Sequence, residues 1–183
     1  MKKIALLIAC FLQIAFLIYL IFTNQAILKT GEQYKFKVRP IDPYNIFKGR
    51  YLTLAFEEEQ ANPIYDCPKN SNNKSFAIIT KDKNDFAQLQ KITNIKPKEN
   101  NYFELKTNYC QHKILGNFKF PFNEFYLQET MAKKTEEDYK ESLKIKNNNS
   151  YALVRIQGGK AVLEDLYIND KSVNNNLQEK PKI

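Results

Sequence analysis

One segment limits every fold this chain can adopt. Ile4 to Phe22, IALLIACFLQIAFLIYLIF, carries no charge and a single strongly polar residue, Gln13. As a helix it would be about 28 Å long, against roughly 30 Å of hydrocarbon in a bilayer. It is apolar on every side, a pattern that the core of a 183-residue protein has little room to bury. A transmembrane anchor over residues 1–26 is therefore expected. Lys2 and Lys3 flank its start, so the positive-inside rule puts the N-terminus in the cytoplasm and everything after Thr23 outside it, with Lys29 narrowing the margin. Two processing routes compete. A cleaved signal peptide would have an apolar core of about 7 to 15 residues and a small-x-small site, whereas this run is longer and is followed by TNQA. Leu7 to Cys10 resembles a lipoprotein box, yet the apolar run continues well past Cys10.

Beyond the anchor the chain has enough residues for one domain, 27–172, with a loose tail over 173–183. Thirteen Phe and eleven Tyr with no Trp favour a core of aromatic and β-branched residues. The expected fold is mainly β (α+β), an antiparallel β-rich, sheet or barrel-like domain with one short helix. Tyr34, Phe36 and Val38 alternate with Lys35, Lys37 and Arg39, the period of a half-buried strand. Further strands are expected at Tyr51–Phe56, Phe76–Thr80, Phe86–Thr93, Tyr102–Lys106, Ile114–Phe120 and Phe122–Leu127. Thr130–Leu143 reads as a surface helix with threonine at its N-cap. Tyr151–Ile156 and Lys160–Ile168 flank Gly158 and Gly159, a strong hairpin signal.

Between the first two strands lies RPIDPYNIFKGRYLTLAF, Arg39 to Phe56. Pro40 and Pro43 fix φ and extend the residues before them, Asp42 can cap the resulting turn, and Gly49 gives a permissive corner. In the strand beyond, Tyr51, Thr53 and Ala55 share one face and Leu52, Leu54 and Phe56 the other. This stretch resembles the marker of the GDYXXLXY family of bacterial membrane-anchored proteins, a Gly-Asp-Tyr corner, two residues, Leu, one residue, Tyr. Here Gly49, Tyr51 and Leu54 match, Arg50 replaces the aspartate and Phe56 the final tyrosine. Tyr126 to Glu129 and the hairpin at Gly159 extend the likeness. The resemblance implies an N-terminal membrane helix, an extracytoplasmic β-rich domain held at the bacterial cytoplasmic (inner) membrane, and a multi-pass membrane protein as partner. Arg50 could not replace a catalytic acid or a metal ligand, which favours a structural role for that corner.

The chemistry in the sequence is sparse. Glu124 and Glu129 are five apart along an extended segment, so they face opposite ways unless a bulge intervenes. With Tyr126 they form a possible ligand or partner surface. His112, the sole histidine, sits in no metal-ligand pattern, and no cofactor, metal site or catalytic set is expected. Cys67 and Cys110 would both lie outside the cytoplasm, where an oxidising compartment permits a disulfide worth on the order of 4 kcal/mol. Spacing alone does not establish that they meet. The formal charge of +8 comes from lysines scattered among asparagines, not from a basic stripe interleaved with stacking aromatics, so no nucleic-acid partner is expected. The function that fits is an extracytoplasmic interaction or accessory module for a membrane or envelope protein. Two alternatives stand beside it: an envelope enzyme with a carboxylate or tyrosine site, and a module that binds anionic lipid or glycan.

Overall fold

The computed structural model describes residues 2–39, 47–48, 51–68, 74–106, 119–126, 141 and 149–176. Helix α1, Lys2–Thr30, runs on past Phe22, and residues Leu6–Thr30 are long and apolar enough to cross a membrane, with a mean hydropathy of 2.6 over their most apolar 18-residue stretch. From Leu6 to Phe22 its apolar side chains point outward all round, Phe11 and Phe22 among them.

Eleven strands are described. They are β1 (Glu32–Lys37), β2 (Phe47–Lys48), β3 (Tyr51–Thr53), β4 (Ile64–Asp66), β5 (Ser75–Lys81), β6 (Ala87–Thr93), β7 (Tyr102–Leu105), β8 (Glu124–Tyr126), β9 (Tyr151–Gln157), β10 (Lys160–Ile168) and β11 (Lys171–Ser172). They form three sheets, in the orders β1-β9-β10-β11, β2-β3-β8 and β4-β6-β5-β7. Pairing is antiparallel except for β4 with β6. Isolated bridges join the sheets: Lys35 to Phe86, Val38 to Phe56 and Phe103 to Gly159. Lys81 adds a further tie, because its ammonium meets Glu32 at 2.7 Å and stands 4.7 Å from the centre of the Tyr34 ring.

The core lies where the three sheets converge. Tyr34, Phe36 and Val38 face inward from β1, as their alternation requires, and Leu52, Leu54 and Phe56 do the same beyond β2. Phe36, Phe56, Phe103, Phe120 and Phe122 then pack as one cluster, with ring centres 5.0 to 6.4 Å apart, edge to face or tilted in most pairs. Such pairs add about 0.5–1.5 kcal/mol each beyond the area they bury.

Several expectations meet the structure in altered form. The strand expected at Tyr51–Phe56 ends at Thr53, and its partners are β2 and β8. The end of β1 still meets it, since Val38 bridges Phe56 and Arg39 N donates to Ala55 O at 2.9 Å. Beyond it, Glu57–Gln60 form a turn of 3₁₀ helix. Ordered packing also continues past residue 172: helix α2, Val173–Asn176, comes after β11, and Val173 is buried. The expected strand over 114–120 and helix over 130–143 fall almost wholly outside the described residues, where only Lys119, Phe120 and a helical Glu141 are seen.

Candidate functional site

The junction of α1 and the β-rich domain is built with one residue to spare. Only Gly31 separates α1 from β1, and its N–H still donates to Ile27 O at 2.8 Å. A side chain here would place its Cβ 2.5 Å from that same carbonyl oxygen and 3.2 Å from Arg155 Cβ, which explains the glycine. Ile27, near the end of α1, is buried. Thr30 Oγ1 donates to Gln157 Oε1 at 3.0 Å, and Arg155 Nη1 donates to Gly31 O at 3.2 Å. Arg155 is held in turn by Glu164, with Nε 2.7 Å and Nη2 3.4 Å from the carboxylate oxygens, the paired geometry that makes arginine a rigid clamp. The helix therefore enters the β9–β10 hairpin directly, with no flexible linker.

A second polar centre lies inside the domain. Glu59 sits at the third position of the 3₁₀ turn, where its carboxylate accepts from Phe56 N at 3.2 Å and from Phe120 N at 3.0 Å. Arg39 Nη2 stands 3.8 Å away and Arg39 Nε donates to Phe56 O at 3.2 Å. Burial raises the Glu59 pKa against the pull of those backbone donors and of Arg39 and Lys119. Next to it Glu58 is half-buried, and its Oε2 has no hydrogen-bond partner among the described residues. Burial pushes its carboxyl up to about 8, with the charges of Glu57 and Glu59 adding to the rise and its own backbone N–H and Lys37 opposing it. Glu58 is consequently protonated near neutral pH.

The residues singled out in the sequence divide between core, surface and undescribed segments. Leu54 and Phe56 are core residues. Tyr51 is half-buried, and its ring packs 5.6 Å from that of Tyr126 across the β3–β8 pair. Tyr126 is 69% exposed and donates its hydroxyl to Glu124 Oε2 at 3.2 Å, a hydrogen bond that raises the phenol pKa. Tyr51, Glu124 and Tyr126 thus form one surface patch. Glu129 lies outside the described residues, as do Pro40, Asp42, Pro43, Gly49 and Arg50. Lys48 pairs with Tyr51, so Gly49 and Arg50 are the two residues between β2 and β3. Cys67 is disulfide-bonded, Cys10 is a free thiol on α1, and Cys110 and His112 lie outside the described residues. Among the described residues no group of three or more His, Cys, Asp or Glu side chains is placed to hold a metal ion.

Sequence reasoning missed the Glu58–Glu59 pair. Its only signal was a glutamate three residues after a strand end, the spacing at which an acid reaches back to cap the N–H before it.

Against known proteins, the family model described as GDYXXLXY protein matches residues 13–166, which is most of the chain. No curated protein and no solved structure matches it.

Proposed function

We infer that this chain, which belongs to the GDYXXLXY family, is a membrane-anchored interaction module whose β-rich domain docks on a membrane or envelope protein. The reading places the N-terminus in the cytoplasm, the domain on the outer side of a bacterial cytoplasmic membrane, and the partner against the patch of Tyr51, Glu124 and Tyr126. The observation that carries it is the linkerless junction. At 29 residues α1 is about 43 Å long, roughly 13 Å more than the hydrocarbon needs, so its last turns stand clear of the bilayer where Ile27, Thr30 and Gly31 meet the hairpin. A domain held in this way keeps one orientation to the membrane. Orientation fixed beforehand lowers the entropic cost of meeting another membrane-held surface, and confers little on the capture of a freely diffusing molecule. An exposed tyrosine braced by a second ring and by a carboxylate is a low-entropy contact residue of the type enriched at interfaces.

Photo-cross-linking in native membranes tests the reading. A cross-linking amino acid at Tyr126 is expected to give one discrete adduct with a membrane or envelope protein, and the same probe at exposed Glu99 none. Equal, diffuse adducts from both positions, or none from Tyr126, would contradict it.

A further inference from the structure

Two turns lean over β1 and leave a half-open cleft of about 530 Å³. The first is the β5–β6 turn. Asp82 Oδ1 accepts from Asn84 N at 2.7 Å and from Phe86 N at 2.9 Å, and Asp85, at φ 64°, offers its carbonyl to Lys35 N at 3.2 Å. The second is the β10–β11 turn, with Asn169 at φ 51° and Asp170 at φ 63°. Asn169 N donates to Ser150 Oγ at 3.3 Å, and Asp170 Oδ2 accepts from Asn149 Nδ2 at 3.0 Å. Both walls are fixed before anything binds. Asn and Asp tolerate left-handed backbone at tight turns, so this geometry costs the fold little.

The floor is the solvent-side face of β1, from which Lys35 and Lys37 project two residues apart. Lys37 Nζ stands 5.1 Å from the centre of the Phe86 ring, and Lys35 Nζ is 5.8 Å from Phe86 and 5.7 Å from Tyr151. The two rings meet edge to face at 5.8 Å, and Tyr151 is braced by a stacked Tyr167 at 4.8 Å.

The cleft is charge-balanced, with two ammonium groups set against the carboxylates of Asp85 and Asp170. That balance disfavours a phosphate or an anionic headgroup, which the two acids would repel. It suits hydroxyl groups, each of which donates and accepts: lysine and asparagine N–H groups supply donors, and carboxylate and amide oxygens supply acceptors. The Phe86 and Tyr151 rings add apolar surface for the C–H groups of a sugar beside the two ammonium groups that stand over them. The volume is within the range of small-molecule sites, roughly 300–1,000 Å³.

We propose that this cleft binds an uncharged saccharide, a short segment of an envelope glycan, through Lys35, Lys37, Asp85, Phe86, Tyr151 and Asp170. The proposal is independent of protein docking at Tyr126, and only the source of the sugar rests on the extracytoplasmic placement. Full-length protein in lipid nanodiscs is titrated by calorimetry with uncharged gluco-, manno-, galacto- and N-acetylglucosamine trisaccharides, and with inorganic phosphate and phosphatidylglycerol vesicles. At least one trisaccharide is expected to bind. Lys37→Gln and Asp85→Gly, the latter compatible with the left-handed backbone, are each expected to weaken it about tenfold, with the thermal midpoint held. Absence of binding by every trisaccharide at millimolar concentration would overturn the proposal. So would sugar binding indifferent to both substitutions, or phosphate or vesicle binding that both abolish.

Discussion

At the scale of single residues, two adjacent glutamates follow different rules. Glu59 satisfies the N–H groups of Phe56 and Phe120 and stands beside Arg39, all within a buried shell. Glu59→Ala leaves those donors unpaired, and is expected to cost about 3 kcal/mol in chemical denaturation of the detergent-solubilised protein; a change under about 0.5 kcal/mol would show that the network does not matter. Glu58, whose carboxyl is pushed much further up by burial, adds a pH dependence of its own. Its carboxyl titrates near 4.5 in the unfolded chain and near 8 in the folded one, so between those values the folded state holds the extra proton. The stability it contributes is complete below about pH 4.5 and is lost as pH rises through 8, a fall of about 2 kcal/mol once its partial exposure is allowed for. Glu58→Gln is expected to flatten that slope in thermal melts between pH 5 and 8, and an unchanged slope would refute the assignment. Neither glutamate's role was legible in the sequence. An acidic run reads by default as solvated surface, and the groups that bury Glu59 include Phe120, 61 residues away. The inward triplet of Leu52, Leu54 and Phe56 was legible, because alternation is a local property.

At the scale of elements, the β9–β10 hairpin shows how far local chemistry reaches. Gly158 and Gly159 both adopt left-handed backbone, φ 58° and 85°, as the paired glycines announced. They differ in surroundings: a Cβ on Gly158 would meet nothing, whereas one on Gly159 would come within 2.9 Å of the Tyr102 ring. Both alanine variants are expected to destabilise, Gly158→Ala by about 1 kcal/mol and Gly159→Ala by about 2–3. Equal losses would mean that backbone strain alone sets the cost. The hairpin was legible because both strands and the turn lie within eighteen consecutive residues. Pairings across distance were not, such as the parallel β4–β6 contact or the insertion of β3 between β2 and β8. Both join residues far apart in the chain, such as Ile64 with Lys91 and Leu52 with Phe125, beyond the reach of any local pattern. The cleft over β1 was hidden for the same reason, since Lys35 and Lys37 read as ordinary solvent-facing positions until two remote turns closed over them.

At the scale of the whole molecule, the proposal rests on one piece of geometry: helix α1 runs into the β-rich domain with only Gly31 between them. The apolar span was plain in the sequence, but its continuation through Thr30 into Gly31 was not, because residues 23–31 look polar enough for a linker and the docking residues Arg155, Gln157 and Glu164 lie far along the chain. The proposed orientation of the domain and the proposed docking at Tyr126 both depend on that junction. The most direct measurement is a spin-label distance between Phe22→Cys on α1 and Gln88→Cys on β6, in a Cys10→Ser background, with the protein in lipid nanodiscs. A single narrow distance distribution is expected, broadening when a Gly-Ser segment is inserted beside Gly31. A distribution already as broad without the insertion would contradict the rigid junction and the docking role built on it.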